Sequence, residues 1–181
     1  MPLRFRDASA ALIPNPAERS YGCVIAPFQR NTAHPQIAVV TVDGPNRLYR
    51  FDGDAFVDVA DEAFADRGRS GIGCAAADVD GSGRLALYVL NTDRFLGETT
   101  HSDALLMQSA GGSFYDLART YPDLIDPPNR GAGRSVCFLD ITGNGFPDCY
   151  VANYGVPCLF YINRGRGSDE LGGAGWEGSG G

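Results

Sequence analysis

The stretch GIGCAAADVDGSGRLALYVLN, residues 71–91, reads as two β-strands joined by an Asp/Gly loop. In Leu85–Leu90, Leu85, Leu87 and Val89 face one way, and Ala86, Tyr88 and Leu90 face the other. A strand that is apolar on both faces belongs to a sheet buried between neighbouring sheets. The small side chains of Cys74–Ala77 suit an inner strand where several sheets crowd together.

The same order of runs recurs on both sides. AGRSVCFLDITGNGFPDCYVANYG (132–155) repeats the strand–loop–strand pattern, and ERSYGCVIAPFQRNTAHPQIAVVTVDG (18–44) repeats it with a degenerate loop. A third run follows in each unit, at Arg47–Phe51, Leu105–Gln108 and Leu159–Ile162. Phe5, Phe56 and Phe114 recur at intervals of 51 and 58 residues, each followed two positions later by Asp7, Asp58 or Asp116. Cys23 and Cys74 stand eighteen residues after Phe5 and Phe56. That spacing gives one four-stranded unit per repeat, as in a propeller blade. A β-sandwich shares the strand periodicity, but the common register of three units points to a propeller. The expected fold is all-β: a partial β-propeller of about three four-stranded blades.

The units span about 19–67, 68–129 and 130–167. Residues 1–18 read as the end of a preceding blade, with Phe5–Ser9 as its last strand. Residues 168–181 read as a Gly-rich disordered tail in which Trp176 has nothing to pack on. About three blades cannot close a ring of the usual 4–8. The chain is therefore expected to be a fragment, or to need the rest of a propeller or another chain on its open edges.

Composition agrees with a globular all-β domain. The 181 residues are 44% hydrophobic and 20% charged, with 24 Gly and 11 Pro punctuating short strands. The net charge is -7 and all 15 basic residues are Arg, with no Arg stripe that could follow a phosphate backbone. An acidic surface disfavours nucleic acid and is compatible with cations. No segment reaches the roughly 18 apolar residues of a membrane span, and the N-terminal residues contain no apolar signal-peptide core. Five Cys without CxxC spacing argue against a zinc site. Cys149 and Cys158 are either small buried thiols or a cross-strand pair.

The chemistry lies in two loops, DVDGSGRLA (78–86) and DITGNGFPD (140–148). Calcium takes six to eight oxygens, which short loops supply from alternate side chains and a backbone carbonyl. The first loop offers Asp78, Asp80, Ser82 and the carbonyl of Arg84, but Ala86 stands where a closing carboxylate would be. The second offers Asp140, Thr142, Asn144, the carbonyl of Phe146, and Asp148 as its closing carboxylate. Two carboxylates per loop predict weak sites, with Kd on the order of 10⁻⁴–10⁻³ M. The first unit's loop, PFQRNTAHPQI (27–37), has no acidic residue and is expected to bind no metal. Asp-Gly and Asn-Gly also make good turns with no ion present.

These motifs resemble the FG-GAP/VCBS repeats of integrin α-chain propellers. The wider frame, with PNRLYRFDGDAFVDVADEAF (45–64), is closer still to the ASPIC/UnbV (cartilage acidic protein-like) group. The resemblance covers roughly residues 3–165. It implies a seven-bladed ring, calcium in the blade loops, and an extracellular adhesion or matrix-type role with a protein or glycan partner and no catalysis. By that resemblance the ligands are Asp78, Asp80 and Ser82, and Asp140, Asn144 and Asp148. The chain departs from the pattern at Ala86 and at Thr142.

An enzyme would need a nucleophile with a base, or convergent carboxylates in a pocket. His34 and His101 read as solvated loop residues, and no GxSxG, P-loop or GxGxxG motif is present. The alternatives left open are a fragment of a carbohydrate-active propeller and a structural repeat without metal. No exposed aromatic cluster is evident from the sequence.

Overall fold

A computed structural model describes residues 3–14, 17–30, 32–166 and 174–179. Twelve of its strands fall into three sheets of one design. The first sheet runs β1 (Arg19–Ala26), β2 (Gln36–Val42), β3 (Arg47–Phe51) and β4 (Phe56–Asp58), in that spatial order and antiparallel throughout. The second repeats it with β5 (Gly71–Ala77), β6 (Ala86–Asn91), β7 (Ala104–Gln108) and β8 (Phe114–Asp116). The third contains β10 (Ala132–Leu139), β11 (Asp148–Tyr154), β12 (Leu159–Arg166) and β13 (Ala174–Ser179). A two-residue strand, β9 (Ile125–Asp126), lies parallel to β13 on its outer side. The sheets form a partial propeller and do not close a ring.

The innermost strands, β1, β5 and β10, pack side by side with β5 in the middle. Each carries a one-residue bulge, between Ser20 and Gly22, Gly71 and Gly73, or Gly133 and Ser135. The glycines there permit close approach between blades. A Cβ on Gly22 would stand 2.8 Å from the Gly73 Cα, and one on Gly133 would stand 2.7 Å from the Leu90 side chain. Such distances require the neighbour to move, so larger residues are excluded.

Two apolar interfaces hold the blades together. Ala38, Val40, Leu48 and Phe64 of the first blade pack on Leu87, Val89, Leu106 and Phe114 of the second. Ala86, Tyr88, Leu90, Leu105 and Met107, on the second blade's other face, pack on Cys149, Val151 and Tyr161 of the third. The alternation expected for Leu85–Leu90 therefore divides its side chains between two interfaces. Phe28, Phe64 and Phe114 form edge-on contacts at the first, with centroids 4.8–6.3 Å apart.

Two parts of the chain depart from expectation. The region around Phe5 is not a strand: it is irregular up to α1 (Ser9–Leu12), and Phe5 is 91% exposed. A lone strand without partners has no backbone acceptors, so the segment folds into a local turn capped by Asp7, whose carboxylate accepts from the Ser9 N–H at 2.9 Å. In the tail, residues 168–173 and 180–181 lie outside the described residues. Ala174–Ser179, however, is a strand and not disordered chain, because β12 and β9 offer it backbone partners on both sides. Two further short helices, α2 (Glu62–Ala65) and α3 (Leu117–Thr120), follow the fourth strands of the first and second blades.

Candidate metal loops between neighbouring blades

Each loop joins an inner strand to the second strand of its blade, so Gln36, Ala86 and Asp148 occupy the same position, opposite Ala26, Ala77 and Leu139 respectively. What stands there decides how the loop is held.

In the third blade Asp148 is fully buried. Its Oδ2 accepts from the N–H groups of Ile141 (3.0 Å) and Thr142 (3.2 Å), and its Oδ1 from the Asn163 N–H (2.8 Å). Asp140 Oδ1 accepts from the Gly143 and Asn144 N–H groups at 2.8 and 3.1 Å, and its Oδ2 from the Gly145 N–H at 2.8 Å. Asn144 donates to the Asn163 carbonyl at 2.7 Å and accepts from the Phe146 N–H at 2.9 Å. A carboxylate has about four acceptor sites. Backbone donors therefore fill most of the capacity of Asp140 and Asp148. The Thr142 hydroxyl lies 3.5 Å from Asp140 Oδ1.

The 78–86 loop differs. Asp78 Oδ2 accepts from the Gly83 N–H at 2.7 Å, but its Oδ1 is buried with no hydrogen-bond partner among the described residues. Asp80 Oδ1 accepts from the Ser82 N–H at 3.0 Å, and its Oδ2 lies 3.6 Å from Arg84 Nη2. Ser82 Oγ accepts from the Arg84 N–H at 3.3 Å. Ala86 is packed in the interface with the third blade, so nothing closes the loop from that position. Arg30, from the first blade, instead donates to the carbonyls of Ser82 and Gly83.

In the first blade Gln36 takes both roles. Its Oε1 accepts from the Gln29 N–H at 2.7 Å, as a carboxylate would. Its Nε2 donates to Thr32 Oγ1 and the His34 carbonyl, both at 2.8 Å, as a cation would draw them in. This is how the blade keeps its loop without acidic residues.

The two acidic loops are neighbours. Asn163 Nδ2 donates to the Val79 carbonyl at 2.8 Å and to the Pro147 carbonyl at 3.2 Å. Phe146 lies 3.4 Å from where a Gly81 Cβ would be, and its ring fills the space beside Gly165. No three His, Cys, Asp or Glu side chains form a metal cluster among the described residues. Each loop brings two carboxylates and makes up its donor set from hydroxyl, amide and carbonyl oxygens.

The other end of these strands holds a feature the sequence reading missed. The three bulged residues, Tyr21, Ile72 and Arg134, line one cavity of about 460 Å³ together with Phe95. The Arg134 guanidinium lies 5.4 Å from the Phe95 ring and 5.3 Å from the Tyr154 ring. Tyr21, Ile72 and Arg134 come from separate strands, and only their shared bulge register could have linked them. His34 packs edge-on against Phe51 at 5.3 Å, and His101 is exposed. All five cysteines are free, with Cys149 buried in the interface between the second and third blades.

Stacked four-stranded blades with Asp/Gly loops at a fixed place define a β-propeller repeat protein. Residues 31–89 match the family model for the FG-GAP-like repeat. The chain is also similar to cartilage acidic protein 1 of Xenopus tropicalis, 35% identical over 151 residues that cover 77% of this chain and 23% of the relative. The mouse and human proteins of that name are each 31% identical over 156 residues, again covering 77% of this chain and 23% and 22% of their own length. Residues 31–89 thus carry an FG-GAP-like repeat, and most of the chain is similar to one part of cartilage acidic protein 1. The chain spans less than a quarter of the length of these relatives.

Proposed function

We propose that the chain is a non-catalytic, calcium-binding propeller module that takes part in adhesion or matrix-type protein contacts outside the cell. The observation that carries the calcium reading is the buried, unpartnered Asp78 Oδ1. A buried carboxylate oxygen without a donor is costly, and a bound cation would supply its partner. Asp78, Asp80, Ser82 and the Arg84 carbonyl would hold the ion there. Asp140, Thr142, Asn144, the Phe146 carbonyl and Asp148 form the second donor set, in which Asp148 also anchors the loop. Calcium supplies charge neutralisation and loop rigidity, with no chemical step.

Weak sites with Kd on the order of 10⁻⁴–10⁻³ M fit extracellular calcium. No helix among the described residues is long and apolar enough to cross a membrane. The non-catalytic reading is supported by Asp103, a carboxyl raised towards neutral pH by burial, whose hydrogen-bond partners are the structural groups of Tyr88, Asn91 and Asn129. The interaction reading draws on the Phe95–Arg134–Tyr154 cluster, because exposed aromatic and guanidinium groups dominate many protein contacts.

Thermal melts test the metal. At 10 to 100 times Kd, calcium should stabilise the chain by about 1.4–2.7 kcal/mol, roughly 3–10 °C at this size. Asp78→Asn should remove most of that gain, and Asp140→Ala a smaller part. A melting curve indifferent to calcium and to EDTA would sink the metal and leave a purely structural repeat.

A further inference from the structure

The first blade's loop has no acidic residue, and its Arg30 reaches into the next blade. Arg30 Nε donates to the Gly83 carbonyl at 3.3 Å, and its Nη2 donates to the Ser82 carbonyl. The contact depends on Gly83, which has φ 75° and lies so close to the guanidinium that a Cβ there would overlap it. Loop carbonyls are the kind of acceptor a calcium ion uses, and here a tethered cation holds two of them. A second guanidinium, Arg84, stands 3.6 Å from Asp80. Asp78 Oδ1, in the same loop, has no hydrogen-bond partner among the described residues.

We propose that Arg30 is the resident cation of the 78–86 loop. It holds the Ser82 and Gly83 carbonyls without metal, and its charge opposes a divalent ion at Asp78. This assignment rests on the calcium reading for the loop, and it makes the neighbouring blade a determinant of metal affinity. The first blade's loop then has a function after all: it carries the counter-charge for its neighbour's site. A unit positive charge a few ångströms from a divalent ion weakens binding roughly tenfold, even in a water-like dielectric.

Equilibrium dialysis against calcium tests the assignment, on the wild-type chain and on Arg30→Met, Asp78→Asn and the double variant, with folding checked by circular dichroism. Arg30→Met should bind calcium about tenfold more tightly at one site, and the double variant should lose that gain. Arg30→Gln keeps an amide donor without the charge and should show the same gain, which covers the case in which Arg30→Met does not fold. If wild-type binding is lost in Asp78→Asn but unchanged by either Arg30 variant, the role of Arg30 is overturned and the calcium reading survives. If no variant binds calcium, both are overturned. If the Arg30 variants gain a site where the wild type has none, the resident-cation assignment stands and metal binding by the unaltered loop does not.

Discussion

At the scale of single residues, several polar side chains owe their presence to burial. Asp103 accepts from Tyr88 Oη at 3.1 Å, the Asn91 N–H at 2.7 Å and Asn129 Nδ2 at 2.7 Å. In the first blade the same place, just before the third strand, holds Asn46, which accepts from the Thr41 N–H at 3.2 Å. Burial raises the Asp103 carboxyl to about 7. An unfolded aspartate titrates near 4, so between about pH 4 and 7 the folded chain holds a proton that the unfolded chain lacks. The resulting stability is complete below about pH 4 and is lost as the pH rises towards 7. Melting temperatures measured across that range should therefore decline, and Asp103→Asn, which copies the first blade, should flatten the decline. Arg69 is a second case. Burial works against its charge, but two salt bridges outweigh that cost: its Nε lies 2.8 Å from both Asp66 oxygens and its Nη2 lies 2.7 Å from Asp116. Arg69→Met would leave the buried Asp66 and Asp116 with the more exposed Arg119, 3.8 and 3.7 Å away, as their remaining ion-pair partner, at an expected cost of about 3–5 kcal/mol in denaturant unfolding. Asp116, legible in the sequence only as part of a recurring Phe-x-Asp, is thus half of a buried ion pair.

At the scale of elements, the inner strands carry the most information per residue. Their glycines mark both the bulge and the close contact between blades, so Gly22→Val should destabilise the chain by about 1–3 kcal/mol through overpacking. The same substitution at Gly53, whose Cβ would meet nothing, should act only through its positive φ. Strand order, the two-faced β6 and the place of the loops were all legible from Asp78–Asn91 and its repeats, because packing on both faces leaves a periodic trace. What the sequence did not show depends on contacts between distant segments. The Arg30 bridge to Ser82 spans 52 positions and has no local pattern. The tail's Ala174–Ser179 has Trp176 as its single strand-favouring residue, and its pairing comes from the edges that β12 and β9 offer it. The order of the two acidic loops also changes with the structure. The 140–148 loop has the fuller donor set in sequence, yet backbone amides occupy its carboxylates, while Asp78 keeps acceptor capacity in reserve.

At the scale of the whole molecule, three blades present two uncovered sheet faces. On the first blade Ile25 is 64% exposed, on the face opposite the one that packs on the second blade, and on the third Leu139 is likewise 64% exposed. Apolar side chains of this kind are covered where a further blade stacks. Taken alone, the chain should self-associate, with its light-scattering mass rising with concentration. Ile25→Asp and Leu139→Asp together should return it to the monomer, and an unchanged mass would show that these faces do not attract each other. The most direct test of the calcium claim is an anomalous difference map from crystals grown in millimolar calcium. A peak is expected bonded to Asp78 Oδ1, weakened in occupancy by the charge of the Arg30 guanidinium. A map with no peak at Asp78, and with a water or a protein donor on that oxygen instead, would contradict the claim.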